Sequence, residues 1–413
     1  LKAEKELKLR IQKKKIREKL ESAQSVDETS MSRPKKSKRF SLFGRIFLIT
    51  VFSLILLFLI FNINYLTPSK MKEHMKAVFA DFGSGEGYPY RFSSNDVSDC
   101  FSFSSGDIAV LTNNDLIILN SSANEVLQYK HSMSNPIAMH SKDRILLYDQ
   151  GAKKAVILNQ SGQVLSFPND DKIICADISD SGKSIIVTKD AAGKEVMSIY
   201  NFSGKKIMSW EKGNGYIIDC CLSANGNLAA VGIVDTEDAV QTIDVITFNV
   251  SNAKQKGSIQ FKSVSLYDIT FIRSSDLAVL CNNKINILDA RCQLKNDVDL
   301  PSTVNKQLFC DDNAHIINAY SLYNNGKYIV DVYNTSLKKV DSKEYDGEIL
   351  QVNSDGSSIV TLFSNRVAQV NMIGGKVTYR ASFSIDPTFV VSKSKVVYGC
   401  SNGTIEKVRS VKQ

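Results

Sequence analysis

The chain has 413 residues, 43% of them hydrophobic, enough to bury a large core, and its formal net charge is +8. That charge is unevenly placed: residues 1–45 carry 15 Lys and Arg against 6 Asp and Glu, whereas the remainder carries 36 basic and 37 acidic residues. A nucleic-acid-binding domain needs its positive excess on the folded part, where phosphates are contacted, so composition argues against a nucleic-acid partner.

Taken in order, Leu1 to about Ala23 is rich in Lys, Glu, Arg and Leu, all good helix formers, with Leu9, Ile16, Leu20 and Ala23 on one helical face. This predicts a basic helical tail, residues 1–45, that lies against anionic lipid headgroups. Ser22 to Lys38 is polar, contains Pro34 and reads as a linker within it. Ile46 to Leu66 then contains no charged side chain. About 20 such residues suffice to cross a hydrocarbon core as a helix. Arg33, Lys35, Lys36, Lys38, Arg39 and Arg45 precede the stretch, which predicts an N-terminus in the cytoplasm and a C-terminal region outside it. A cleaved signal peptide would have a shorter apolar core and small residues before the cut, and Asn62-Ile-Asn-Tyr-Leu-Thr-Pro68 has no such site. Residues 46–66 are therefore expected to be a single transmembrane anchor, residues 67–87 a linker, and residues 88–413 the folded domain.

Beyond about Asp96 helical periodicity gives way to runs of Ile, Val, Phe, Tyr and Thr punctuated by Gly, Asn, Asp and Ser. A unit of roughly 36 to 48 residues recurs, the length of a propeller blade. Its clearest copies are Ile173-Ile-Cys-Ala-Asp-Ile-Ser-Asp-Ser-Gly-Lys-Ser-Ile-Ile-Val187 and Ile217-Ile-Asp-Cys-Cys-Leu-Ser-Ala-Asn-Gly-Asn-Leu-Ala-Ala-Val231. Weaker ones begin at Val97 and Ile349. Each reads strand, tight turn, strand, with Gly106, Gly182, Gly226 and Gly356 where the turn demands positive φ. Two further strands follow each copy, and blades are expected to begin near residues 96, 136, 173, 216, 263, 304 and 348. A last group, from Thr388 to Val408, lacks a fourth strand. Tyr88-Pro-Tyr-Arg-Phe92 is expected to supply it and close the ring. The predicted fold is all-β, a β-propeller of about eight four-stranded blades, or seven if the last strands pair elsewhere.

The Ser-x-x-Gly turn followed by an Ile/Leu-Ala/Ile-Val strand resembles the repeats of WD40-like and quinoprotein-like propellers over about residues 88–413. Departures from those patterns are the absence of a Trp-Asp dipeptide and a single tryptophan, Trp210. The layout of basic tail, span, linker and degenerate propeller resembles an uncharacterised family of bacterial single-pass membrane-anchored proteins. That resemblance implies topology and fold and no activity.

The eight cysteines form no Cys-x-x-Cys pair and have no His at metal-ligand spacing; they read as small buried apolar residues. Cys220 and Cys221 are adjacent, but strand alternation points their thiols to opposite faces. No nucleophile elbow, zinc-binding helix or P-loop occurs, which leaves no catalytic residue to assign and no cofactor to expect. Asp311-Asp-Asn313 and Asp170-Asp171 read as turn formers rather than metal ligands. The Asn-x-Ser/Thr triplets at Asn120, Asn159, Asn201, Asn249, Asn334 and Asn402 matter as glycosylation acceptors only in a glycosylating pathway.

One constellation emerges when blades are aligned. Nine residues before the anchors Ile108, Leu228 and Leu277 stand Asp99, Asp219 and Asp268. These are candidate channel-lining carboxylates, able to attract a cation; the competing reading is that they satisfy backbone donors within or between blades. Asp177 falls one place out of phase with them. The function expected is a membrane-anchored binding or scaffolding module for a protein or cell-envelope ligand. A sensor ectodomain and a cell-surface polysaccharide hydrolase or lyase are the alternatives.

Overall fold

Period-two alternation broken every few residues by a turn former can satisfy its backbone only by folding each strand back on the last. In a computed structural model this occurs throughout the folded region. The structure describes most of residues 85–408, with exceptions such as 322–325 and 381–383, and helical pieces at 12–15, 17–18 and 49–53. The chain divides into a unit of Leu1–Thr67 and a unit of Pro68–Gln413. The expected anchor at 46–66 lies outside the described residues except for helical 49–53, and no helix among the described residues is long and apolar enough to cross a membrane.

The second unit holds eight four-stranded antiparallel sheets. Seven are simple meanders, spanning 97–130, 136–168, 172–211, 216–262, 266–299, 304–346 and 349–380. These are blades 1 to 7. Blade 8 joins Phe389–Lys393, Val396–Ser401 and Thr404–Val408 to Tyr90–Arg91, from the other end of the domain. Tyr90 pairs with Ile405 and Arg91 with Thr404, and Phe92 N–H donates to Gly403 O at 3.0 Å. The first strands of successive blades contact one another in turn, and that of blade 8 contacts that of blade 1, so the ring closes at eight.

The core is divided among the seams between blades. Eight hydrophobic clusters occur among the described residues, each drawn from two neighbouring blades. In blade 3, Ile185 and Val187 pack toward blade 4, whereas Ile186, between them, packs toward blade 2. A middle strand is thus buried on both faces, which is why Ser184-Ile-Ile-Val and Leu277–Cys281 read as unbroken apolar runs. The fourth strands largely alternate half-buried and exposed residues, as the outer edge of a blade must.

Turn chemistry repeats with the blades. Gly182 and Gly226 have φ of +77° and +64°, and a Cβ on either would lie 2.5 Å from Phe202 or Ser181. Both conformation and space therefore require glycine there. Five of the Asn-x-Ser triplets, at Asn120, Asn159, Asn201, Asn249 and Asn334, sit at the hairpin between third and fourth strands. Each asparagine Oδ1 accepts the N–H of the serine two residues on, at 2.8 to 3.1 Å. Asp289 does the same in blade 5, accepting from Arg291 and Gln293. These triplets are turn formers that recur at the same hairpin in five of the eight blades. Asn402 lies instead in the two-residue turn between Val396–Ser401 and Thr404–Val408.

Candidate functional site

In a meander, the start of the first strand, the hairpin between second and third, and the end of the fourth share one face of the ring, here called the upper face. The first strands carry a register shift near that face in six blades, between Val97 and Asp99, Ile173 and Cys175, Ile217 and Asp219, Leu266 and Asp268, Asn305 and Gln307, and Ile349 and Gln351. The skipped residues are Ser98, Ile174, Ile218, Tyr267, Lys306 and Leu350. A bulge re-aims the extra residue out of the pairing alternation. Ile218 (41%), Tyr267 (52%) and Leu350 (55%) are consequently exposed between buried or half-buried neighbours.

The residue after each bulge explains the aligned carboxylates. Asp99, Asp219 and Asp268 all occupy it, as do Cys175, Gln307 and Gln351. Asp177 stands two residues beyond this position, which in blade 3 is filled by Cys175.

A first strand has one edge paired within its blade and the other facing the ring axis, where its N–H groups need acceptors. Side chains of the preceding blade supply them. Asp177 Oδ2 accepts from Leu222 N–H and Asp219 Oδ2 from Ile269 N–H, both at 2.8 Å. Gln307 accepts from Val352 N–H at 2.8 Å, Gln351 from Val390 N–H at 2.7 Å and Asn353 from Ser392 N–H at 3.2 Å. The second carboxylate oxygen of Asp177 and Asp219 accepts the N–H of the following residue, and Asp99 accepts Cys100 N–H the same way.

The structure brings Asp219 and Asp268 together. Each acts on the other's carboxyl, and Asp177 is near enough to feel the Asp268 charge and to act on Asp219. Asp99, in blade 1, is on the far side of the ring. Desolvation pushes all four carboxyls upward, Asp177 to about 6; the neighbouring Asp268 charge adds to the rise at Asp219, and backbone N–H donors oppose it. Among the described residues no group of three or more His, Cys, Asp or Glu is arranged to hold a metal ion. Gln307, Gln351 and Asn353 perform the same task and are missed by a search for charge; Gln307 and Gln351 follow their bulges directly, and Asn353 holds the place that Asp177 holds in blade 3.

A groove opens on the upper face between blades 3 and 4, lined by Lys194, Glu195, Lys212, Gly215, Tyr216 and Asp235. Glu195 is buried at its base, where it accepts Ile217 N–H at 2.7 Å and pairs with Lys189 and Lys212 at 3.3 and 3.7 Å. Tyr216 is 60% exposed, with the Lys189 and Lys212 ammonium groups 4.6 and 5.6 Å from its ring centre. The histidines of the folded region are engaged separately. His131 meets Thr112 O, His140 stacks on Phe101 and His315 faces Asp311, in three different blades.

Residues 89–409 match a family described as of unknown function, DUF5711. The chain belongs to that family. Among solved structures it is similar to the C-terminal WD40 domain of Sif2, at 10% identity and a TM-score of 0.55, covering 79% of this chain and 99% of that one. At that identity the likeness speaks for the fold alone, an eight-bladed WD40-like propeller, which in this DUF5711 member is closed by its own first strand. No curated protein matches the sequence.

Proposed function

We propose that the protein is a membrane-anchored, extracytoplasmic binding module that docks a protein or cell-envelope ligand on the upper face of its propeller. The observation that carries this is the set of exposed apolar side chains there, Tyr216, Ile218, Tyr267 and Leu350, on strands otherwise committed to the core. Exposed aromatic and aliphatic groups beside a polar groove are the composition of a binding surface. The apolar stretch 46–66 and its basic flank support the anchor and its orientation, with lipid contacted through both.

Two measurements test the reading. Protease added to intact cells should degrade the propeller; digestion only after lysis would overturn the topology. Chemical crosslinking in intact envelopes should recover a partner set that Tyr216→Ser plus Tyr267→Ser depletes. Both side chains are more than half exposed, so the double variant keeps its core. An unchanged partner set would remove the upper face from the proposal.

A further inference from the structure

Four of the eight cysteines meet in two pairs, and each pair bridges a seam between blades. Cys100, on the first strand of blade 1, lies in one apolar cluster with Cys400, on the second strand of blade 8, near enough for the Cys400 thiol to push the Cys100 thiol upward. Cys175, on the first strand of blade 3, lies likewise against Cys220 on the first strand of blade 4. Cys221, Cys281 and Cys292 also share a cluster, between blades 4 and 5, but there no thiol shifts another. Cys292 Sγ contacts Thr247 Oγ1 at 3.4 Å and Val245 O at 3.6 Å, and Cys310 Sγ contacts Asp311 O. Cys221 packs in the seam between blades 4 and 5, opposite in direction to Cys220, so the two adjacent cysteines are directed away from each other.

We propose that Cys100–Cys400 and Cys175–Cys220 are disulfide-forming pairs that staple the ring, the first of them across its closing seam. Buried side chains that share a cluster across contacting strands are placed for the approach a disulfide requires. The closing seam has the greater need. Among the described residues its closing strand is the short Tyr90–Arg91, extended by Phe92 N–H on Gly403 O and supported by Tyr88 on Asn120 O, Tyr90 on Glu125 and Lys407 on Ser121 O. A link from residue 100 to residue 400 would enclose almost the whole propeller, and long closed loops restrict the unfolded chain most.

The chemistry requires a disulfide oxidant, and such oxidants belong to compartments outside the cytoplasm, so occurrence in cells rests on the topology proposed above. The Cys100 thiolate attacks the oxidant disulfide, forming a mixed disulfide and expelling one thiolate. The Cys400 thiolate then attacks the protein sulfur and expels the second. Two cysteine sulfurs lose two electrons, the oxidant gains them, and the two thiol protons end on its two released sulfurs. Cys100 and Cys400 are 2% and 0% exposed, so exchange must precede closure of the seam, and the finished bond is then shielded from reductants. The contact with Cys400 and burial hold the Cys100 thiol well above its ordinary range, and burial does the same to Cys220, which further disfavours thiolate in the closed ring.

The test uses the full chain, unfolded and reduced, then refolded in glutathione and glutathione disulfide, alkylated, digested and mapped by mass spectrometry. The expected map links Cys100 to Cys400 and Cys175 to Cys220 and leaves the other four cysteines alkylated. Non-reducing denaturing electrophoresis should show faster migration that Cys400→Ala abolishes and Cys220→Ala largely retains. Eight alkylated cysteines, or links in any other pairing, would overturn the proposal on the wild-type chain, whatever the variants do. Alkylation in acid-quenched cells forms the second arm. Linked pairs there support both proposals; free thiols there beside correct links after refolding overturn the extracytoplasmic placement and leave the pairing standing.

Discussion

Around blades 3 to 5, the inward N–H groups of Leu222 and Ile269 are accepted by the carboxylates of Asp177 and Asp219. Around blades 6 to 8 those of Val352, Val390 and Ser392 are accepted by the amides of Gln307, Gln351 and Asn353. The backbone geometry is the same and asks only for an oxygen near 2.8 Å. The carboxylate side differs in what else it brings, because three acids near one another in a desolvated site resist ionisation, whereas amides do not titrate. One structural role is thus filled in a pH-sensitive way on one arc of the ring and a pH-indifferent way on another.

The largest effect that tests this contrast is the pH dependence of stability. Asp177 is raised from 3.8 to about 6 in the folded state. A folded value above the unfolded one contributes stability that is fully present below the unfolded value and lost as pH rises through the folded one. The loss between about pH 4 and pH 7 should approach about 3 kcal/mol, at 1.36 kcal/mol per pKa unit. Denaturant midpoints should fall over that range in the wild type and less steeply in Asp177→Asn, where Asp219 and Asp268 keep the remaining slope. Parallel slopes for the two proteins would break the contrast.

Truncation comes next. Asp219→Ala and Gln307→Ala each leave a backbone N–H without its acceptor, a cost of about 1–3 kcal/mol. At about pH 8 the aspartate variant should lose less than the glutamine variant, since it also removes a reluctant charge. Equal losses at every pH would show that the charge contributes nothing. Exchanging the acceptors sharpens the point. Gln307→Glu keeps an acceptor oxygen but should acquire a downward slope in stability at rising pH, on the order of 1 kcal/mol. The smallest effect belongs to the hairpins. Asn201 uses the same acceptor chemistry in an exposed turn, where water replaces it, so Asn201→Ala should change stability by no more than about 0.5 kcal/mol. A loss comparable to that at Gln307 would mean that burial is not what separates the two settings.

Much of this architecture was readable beforehand. The recurring strand–turn–strand unit placed the blade starts, and the glycines at 106, 182, 226 and 356 do adopt positive φ. The missing fourth strand of the last blade pointed to closure by Tyr88–Phe92, and Tyr90–Arg91 fills that place. The candidate site was less legible. Counting back from strand anchors found Asp99, Asp219 and Asp268 but put Asp177 one place out, whereas blade 3 carries Cys175 at the equivalent position and its acceptor two residues later. Gln307, Gln351 and Asn353 escaped because nothing about an amide in a strand distinguishes an inter-blade acceptor from a surface residue. The Asn-x-Ser triplets were visible, yet their regular placement at one hairpin emerged only when strands were assigned.

What the sequence determined by itself was local and periodic: alternation sets strands, glycine and asparagine set turns, and their recurrence sets the number of blades. What only the tertiary structure decided was which side chains meet across a seam. Asp177 reaches Leu222, and Cys100 reaches Cys400 over 300 residues of chain. Such meetings depend on how each sheet packs against the next and on bulges that change which residue faces the axis. The physical reason is that pattern constrains each strand relative to its own neighbours in sequence, whereas a seam is made by two blades whose matching positions no local rule connects.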